Sequence, residues 1–142
     1  MRKLRLSVVA VGSCLTAAPA LAGSLVLEVT NLDSGRGVLY AQVYSSEAAF
    51  KAGTGAVRQV EKAVKEATIR LEFNDLPSGQ YAVRLFQDLN GDRKVNTNAF
   101  GMPVEPFGFT NNAPAHFGPP SFGAVAVTVG DRPVVQTIKL NR

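Results

Sequence analysis

Thr68-Ile69-Arg70-Leu71-Glu72-Phe73-Asn74-Asp75-Leu76-Pro77-Ser78-Gly79-Gln80-Tyr81-Ala82-Val83-Arg84-Leu85-Phe86-Gln87 reads as two strands and the turn that joins them. Ile69, Leu71 and Phe73 alternate with Thr68, Arg70 and Glu72, the period of two that puts apolar side chains on one face of a strand. Residues 75–79 carry Pro and Gly where a turn uses them, Pro for its fixed φ and Gly for its conformational freedom. Residues 80–87 resume the alternation with Tyr81, Val83 and Leu85 on one side.

The same pattern extends outward. Upstream, Leu25, Leu27 and Val29 share a face, as do Leu39, Ala41 and Val43 in residues 38–44. Asp33-Ser34-Gly35-Arg36-Gly37 separates these two strands, and the expected connection is a hairpin. Residues 46–51 suit one helical turn, with Ser46 as cap and Phe50 beneath the sheet. Residues 57–66 fit a short strand through Val57, Val60 and Val64. Downstream, residues 122–129 and 134–140 read as strands on either side of an Asp131-Arg132-Pro133 turn. Seven short strands with turn signals between them predict an all-β protein, a single-domain antiparallel β-sandwich of immunoglobulin-like or prealbumin-like type, with a small barrel as the alternative.

The start of the chain predicts export. Arg2, Lys3 and Arg5 precede an apolar run over residues 6–15, and Ala20-Leu21-Ala22 is a small-x-small cleavage site. The run is shorter than the roughly 20 residues of a membrane span. The expected division is therefore a signal peptide over residues 1–22, cleaved after Ala22, and a β-sandwich domain over residues 23–142, periplasmic or secreted. Val11-Gly12-Ser13-Cys14 offers lipid anchoring at Cys14 as the less favoured alternative. Ordinary cleavage removes Cys14, the sole cysteine, and leaves no disulfide or thiol chemistry. It also removes three of the 15 Lys and Arg and none of the 11 Asp and Glu, so the mature chain is close to neutral. The remaining cations are scattered, which argues against a nucleic-acid partner.

Chemistry concentrates in Asp88-Leu89-Asn90-Gly91-Asp92-Arg93-Lys94-Val95-Asn96-Thr97-Asn98. Asp88, Asn90, Asp92 and Asn96 stand at the first, third, fifth and ninth positions of a calcium loop, and the Lys94 carbonyl at the seventh. Alternate residues of a tight loop can point inward together and surround a hard cation with oxygens. Two positions depart from that pattern: Arg93 stands where a glycine makes the sharp turn, and Ala99 where a bidentate Glu is expected. Glu105 supplies the missing carboxylate if the chain folds back. Asp and Asn are also turn formers in their own right, so an ion-free turn is the competing reading. With few carboxylates, a Kd on the order of 10⁻⁴ to 10⁻³ M is expected for Ca²⁺.

Residues 101–120 are rich in Pro, Gly, Phe and Asn, long for a connection without regular structure. Glu105, Phe107, Phe109, Asn111 and Asn112 offer the mixture of aromatic faces and hydrogen-bonding groups that lines a small binding pocket, for an unidentified protein, peptide or glycan. The competing reading is a loop whose phenylalanines cover the end of the sandwich. His116, the single histidine, reads as a surface residue, and zinc has too few nitrogen or sulfur ligands. Neither a nucleophile elbow nor a phosphate loop is present. Asp88, Asp92 and Glu105 as acid and base of a periplasmic glycosidase-like hydrolase form the enzymatic alternative, which depends on a carboxyl separation that spacing does not give.

Three segments together carry a family resemblance: Asp75-Leu76-Pro77-Ser78-Gly79-Gln80-Tyr81-Ala82-Val83, the loop of residues 88–98, and Gly101-Met102-Pro103-Val104-Glu105-Pro106-Phe107-Gly108-Phe109-Thr110-Asn111-Asn112 with Gly118-Pro119-Pro120-Ser121-Phe122 after it. They resemble the bacterial family catalogued as domain of unknown function 2141, small exported proteins with an Asp-x-Asn-x-(Asn/Asp)-Gly-Lys loop. The resemblance spans the mature chain and implies no established activity. This sequence departs from the family pattern at Arg93, where Gly is typical, and at Asn96, where Asp is common. Both differences reduce the negative charge around a cation. The Leu-Pro-x-Gly-x-Tyr turn is also similar to prealbumin-like sandwich modules, which bears on fold alone. The expectation is a non-catalytic binding or structural module, stabilised by Ca²⁺ through Asp88, Asn90, Asp92, Lys94, Asn96 and Glu105, with a peptide or glycan binder using Phe107 and Phe109 as a further alternative.

Overall fold

The structure is a computed structural model and describes residues 22–142. The export signal and Cys14 lie outside the described residues, except for Ala22, which opens the first strand. In chain order the elements are β1 (Ala22–Thr30), β2 (Val38–Tyr44), α1 (Glu47–Ala52), β3 (Arg58–Ala63), β4 (Ile69–Pro77) and β5 (Gly79–Asp88). There follow β6 (Phe107–Phe109), a 3-10 turn (Thr110–Asn112), α2 (Phe122–Val125), β7 (Val127–Val129) and β8 (Val134–Lys139).

Two sheets face each other. One has the order β4-β1-β8, the other β3-β2-β5-β6, with β7 beside the start of β5. The faces read from alternation meet between the sheets. Leu25, Leu27 and Val29 of β1 and Ile69, Leu71 and Phe73 of β4 pack against Leu39, Ala41 and Val43 of β2 and Tyr81, Val83 and Leu85 of β5 in one buried core. Most pairings are antiparallel, whereas β1 and β8 run parallel, from Leu25↔Val134 to Thr30↔Lys139.

The expected hairpin between the first two strands does not form. β1 pairs with β4 and β8, and β2 with β3 and β5, so the turn at residues 33–37 carries the chain from one sheet to the other. Alternation specifies which face is buried and leaves the neighbour open. The Pro77-Ser78-Gly79 turn is likewise a crossing between sheets. There the Tyr81 hydroxyl donates to the Pro77 carbonyl at 2.6 Å. This is the tyrosine-corner geometry of immunoglobulin-like sandwiches, a hydroxyl bonded back to backbone a few residues upstream.

A second apolar layer lies on the outer face of the β2–β5 sheet. Phe50 of α1 packs there with Tyr44, Ala82, Phe109, Ala113 and Val125. The helical turn forms as read: Ser46 Oγ accepts from the Ala49 N–H at 3.3 Å, and Gly53 ends it at φ 67°. Residues 122–125, expected as strand, are instead a turn of helix. Ser121 caps it by accepting from the Ala124 N–H, and the strand begins only at Val127. Part of the long connection is ordered as β6, which pairs Phe107 and Phe109 with Phe86 and Arg84. Among the described residues no helix is long and apolar enough to cross a membrane.

Tyr81→Phe tests the crossing. It removes one part-buried hydrogen bond, so it should lower unfolding stability by about 1 kcal/mol. Urea unfolding should show a lower midpoint at unchanged slope; an unchanged midpoint would deny the corner a structural role.

Candidate metal centre

β5 ends on Asp88, whose backbone pairs with Val38 of β2. The residue before it, Gln87, is wholly buried. Its amide Nε2 donates to the carbonyls of Asp33 (2.8 Å) and Arg36 (2.6 Å), and its Oε1 accepts from the Asp33 N–H at 2.8 Å. Gln87 thereby ties the sheet-crossing turn to the end of β5. Gly37 lets that turn come close. It has φ +65°, and a Cβ there would lie 2.0 Å from the Asp88 carbonyl oxygen.

With the backbone so fixed, the Asp88 side chain, 1% exposed, organises the loop. Its Oδ1 accepts from the N–H groups of Asn90 (3.2 Å) and Gly91 (2.8 Å), and its Oδ2 from that of Arg93 (2.8 Å). Asn90 Oδ1 accepts from the Asp92 N–H at 3.1 Å, and Asp92 Oδ1 from the Lys94 N–H at 2.9 Å. Each side chain closes a turn two residues ahead, which winds the chain around its own oxygens. Arg93 adopts φ +63°, the left-handed conformation that favours glycine. The loop thus keeps its sharp turn with an arginine in place.

Glu105 returns to the loop, 4% exposed. Its Oε1 accepts from the Leu89 N–H at 2.9 Å and its Oε2 from the Asn96 N–H at 3.1 Å. Between Asn96 and Glu105 the chain forms a small hairpin. The Val104 N–H donates to the Asn96 carbonyl (2.9 Å), Thr97 bridges to Pro103, and Asn98 Oδ1 accepts from the N–H groups of Phe100 and Met102. One carboxylate oxygen from each of Asp88, Asp92 and Glu105 lies within 4.8 Å of the other two. Asn90 and Asn96 join them: Asn90 Nδ2 donates to Asn96 Oδ1 at 3.0 Å, and Asn96 Nδ2 to Asp92 Oδ2 at 2.7 Å. Lys94 contacts the group through its N–H on Asp92.

The group is acidic and engaged in no ion pair among the described residues, although the Lys94 charge lies close enough to act on Asp92. The ion pairs among the described residues engage Asp33, Glu47, Glu28 and Glu72, none of them in the loop. Asp92 is held below its ordinary carboxyl range, first by the Asn96 amide, then by the Lys94 N–H. Neutral N–H donors orient these carboxylates and stabilise their charge, yet they do not cancel it.

The other nominated residues divide. Phe109 is buried, and Phe107 is half-buried with its ring 6.2 Å from that of Phe109. Asn111 Nδ2 donates to the carbonyls of Ala124 and Ala126, and its Oδ1 accepts from Gln136. Asn112 mimics a strand neighbour to β8, donating to the Thr137 carbonyl and accepting from the Lys139 N–H. Both amides are thus committed to backbone and Gln136, and Glu105 faces the loop and not Phe107. His116 is exposed and outside the acidic group. Reading by spacing did not single out Gln87 or Thr110. Thr110, fully buried, accepts from the Val83 N–H and donates to the Val125 carbonyl.

A protein-family model described as an uncharacterized protein conserved in bacteria (DUF2141) matches residues 27–137. No curated protein and no solved structure matches the chain.

Two outcomes follow for the loop. Arg93→Gly relieves a left-handed backbone and should raise stability by about 1 kcal/mol, read from the denaturation midpoint. The lowered Asp92 pKa makes its stabilisation complete above the ordinary carboxylate range and lost as pH falls through the lowered value. Asp92→Asn should therefore flatten the acid limb of the stability–pH profile, below about pH 4; an unaltered limb would show that these hydrogen bonds carry no net stabilisation.

Proposed function

We propose that this chain, which belongs to the DUF2141 family of bacterial proteins, is an exported, non-catalytic binding or structural module that holds Ca²⁺ in the Asp88 loop. The observation that carries the reading is the convergence of Asp88, Asp92 and Glu105 oxygens within 4.8 Å, with no ion pair to neutralise them among the described residues. A calcium ion takes six to eight oxygens. The set would be the carboxylates of Asp88, Asp92 and Glu105, the amide oxygens of Asn90 and Asn96, the Lys94 carbonyl, and water. Asn90 and Asn96 would exchange their mutual hydrogen bond for the ion. Asp88 and Glu105 accept one or two N–H bonds at each oxygen, so their backbone contacts leave limited capacity for the metal. That limit, with Arg93 and Lys94 nearby, supports weak affinity of the extracellular kind.

The ion's role would be mechanical. Asn96 and Glu105 are the two stems of the hairpin at residues 96–105, and the Val104 N–H already bonds Asn96. A cation bridging both stems to Asp88 would fasten the hairpin to the end of β5. The non-catalytic reading is supported by the same contacts: the two buried carboxylates face backbone N–H groups of their own loop.

Thermal unfolding of the mature chain in EDTA, in Ca²⁺ and in Mg²⁺ tests this. At ten times its Kd, calcium should add about 1.4 kcal/mol. For a domain of this size that is roughly 4–8 °C in Tm. Asp92→Ala, at an exposed position, should fold and lose the shift. A wild-type protein indifferent to about 10 mM calcium would reduce the loop to a self-closed turn.

A further inference from the structure

A cavity of about 230 Å³ lies between the outer face of β5 and β6 on one side and two loops on the other, the hairpin and the segment at residues 115–119. Phe107, Phe109 and Met102 are among its walls, and its polar lining side chains are Thr97 and Arg84. The rim is unusually apolar for a surface. Phe117 is fully exposed and Met102 is 47% exposed. Large apolar side chains left exposed at one concavity mark a binding site more often than a bare surface.

Arg84 gives the cavity its character. Its guanidinium sits 4.9 Å from the centre of the Phe50 ring and 5.7 Å from that of Tyr44, and donates to the Phe50 carbonyl at 2.8 Å. No carboxylate pairs with it among the described residues. Its Nε is the one buried side-chain polar atom there without a hydrogen-bond partner. A half-buried cation in aromatic surroundings that lacks a counter-ion favours an anion in the cavity it lines.

The dimensions limit that anion. An apolar cavity of about 150 Å³ takes benzene, and drug-sized ligands occupy about 300–1,000 Å³. We infer that this cavity binds a small amphipathic monoanion: a one- or two-ring aromatic or medium-chain aliphatic body against Phe107, Phe109 and Met102, with a single carboxylate or sulfonate toward Arg84. The floor is the sheet itself, at Arg84 and Leu85, so the occupant enters between sheet and loops. The same chemistry occurs in free organic acids and in anionic lipid at a membrane surface; the cavity's size favours the free molecule. This inference does not rest on the calcium reading, although the hairpin borders both sites.

Two fluorescent probes with the same aromatic body test it. 1-Naphthalenesulfonate carries an anion and 1-naphthylamine, neutral at pH 7, does not. Titrated into the mature protein with millimolar calcium present, the sulfonate should bind saturably at one site, at least about tenfold tighter than the amine. Octanoate should displace it, and 1-octanol should do so more weakly. Arg84→Met should bring the sulfonate's affinity down to that of the amine. Arg84 also braces Phe50, so Met102→Glu on the half-exposed hairpin is the second variant. It should weaken the sulfonate more than the amine without lowering Tm. Equal affinity for the two probes, the absence of saturable binding, or indifference to Met102→Glu would overturn the proposal. Sedimentation with phosphatidylglycerol vesicles, without displacement by octanoate, would overturn it in favour of a membrane surface. Because the readout is probe affinity, a missing calcium shift in Tm and a failed probe titration are distinguishable.

Discussion

The ladder between β2 and β5, from Val38↔Asp88 to Tyr44↔Ala82, is the constraint on which both candidate sites depend. It fixes the register of a strand that is buried on both faces and paired along both edges, with β2 on one side and β7 and β6 on the other. A slip of one residue would exchange Val83 and Leu85 for Ala82, Arg84 and Phe86 in the core. The same slip would move Asp88 out of reach of Gly91 and Arg93. The tyrosine corner at the start of β5 and Gln87 near its end resist such a slip, since each ties the strand to a chain segment that crosses between sheets.

That double burial also explains what was legible in the sequence. The inward faces of β1, β2, β4 and β5 were readable because each alternates, and all twelve residues read this way lie in one core. The second layer was harder to see. Tyr40, Tyr44 and Phe86 occupy outward positions and are apolar, so the signal was present, but alternation assigns such residues to solvent. Partners were less legible than faces. Nothing in residues 33–37 distinguishes a hairpin turn from a crossing between sheets; the distinction lies in the Gln87 amide and the close approach of Gly37 to Asp88. β6 spans three residues, too few for any period to register.

The candidate metal centre was legible for a different reason. Its residues are spaced by a rule of local geometry, and the return of Glu105 required only that the chain fold back. The hydrogen bonds that shape the loop were not legible, and they bear on both interpretations of it. A chain of side-chain-closed turns accounts for the conformation without an ion. It does not balance the charge of three carboxylates drawn within 4.8 Å of one another, two of them buried. Burial of Asp88 and Glu105 adds to that imbalance, because N–H dipoles stabilise a carboxylate without neutralising it. Asn96 in place of an acid and Arg93 in place of a glycine lower the charge density, which is why the proposed ion would be held weakly.

The hairpin belongs to both sites. Asn96 and Glu105 at its stems face the acidic group, while its Thr97, Met102 and Pro103, with Val95 just before it, line the apolar cavity. Its other attachments are few: the Thr97–Pro103 bridge and the Asn98 contacts lie within the hairpin itself. Any force that orders its stems therefore also sets the distance between its wall and Phe107 on the sheet. Binding at one site and binding at the other would then share the free energy of ordering one short segment, and such coupling is reciprocal by thermodynamic necessity. Weak affinity at the acidic loop, as proposed, would fit that arrangement, because a segment already held rigid by its own sequence would leave a ligand nothing to order.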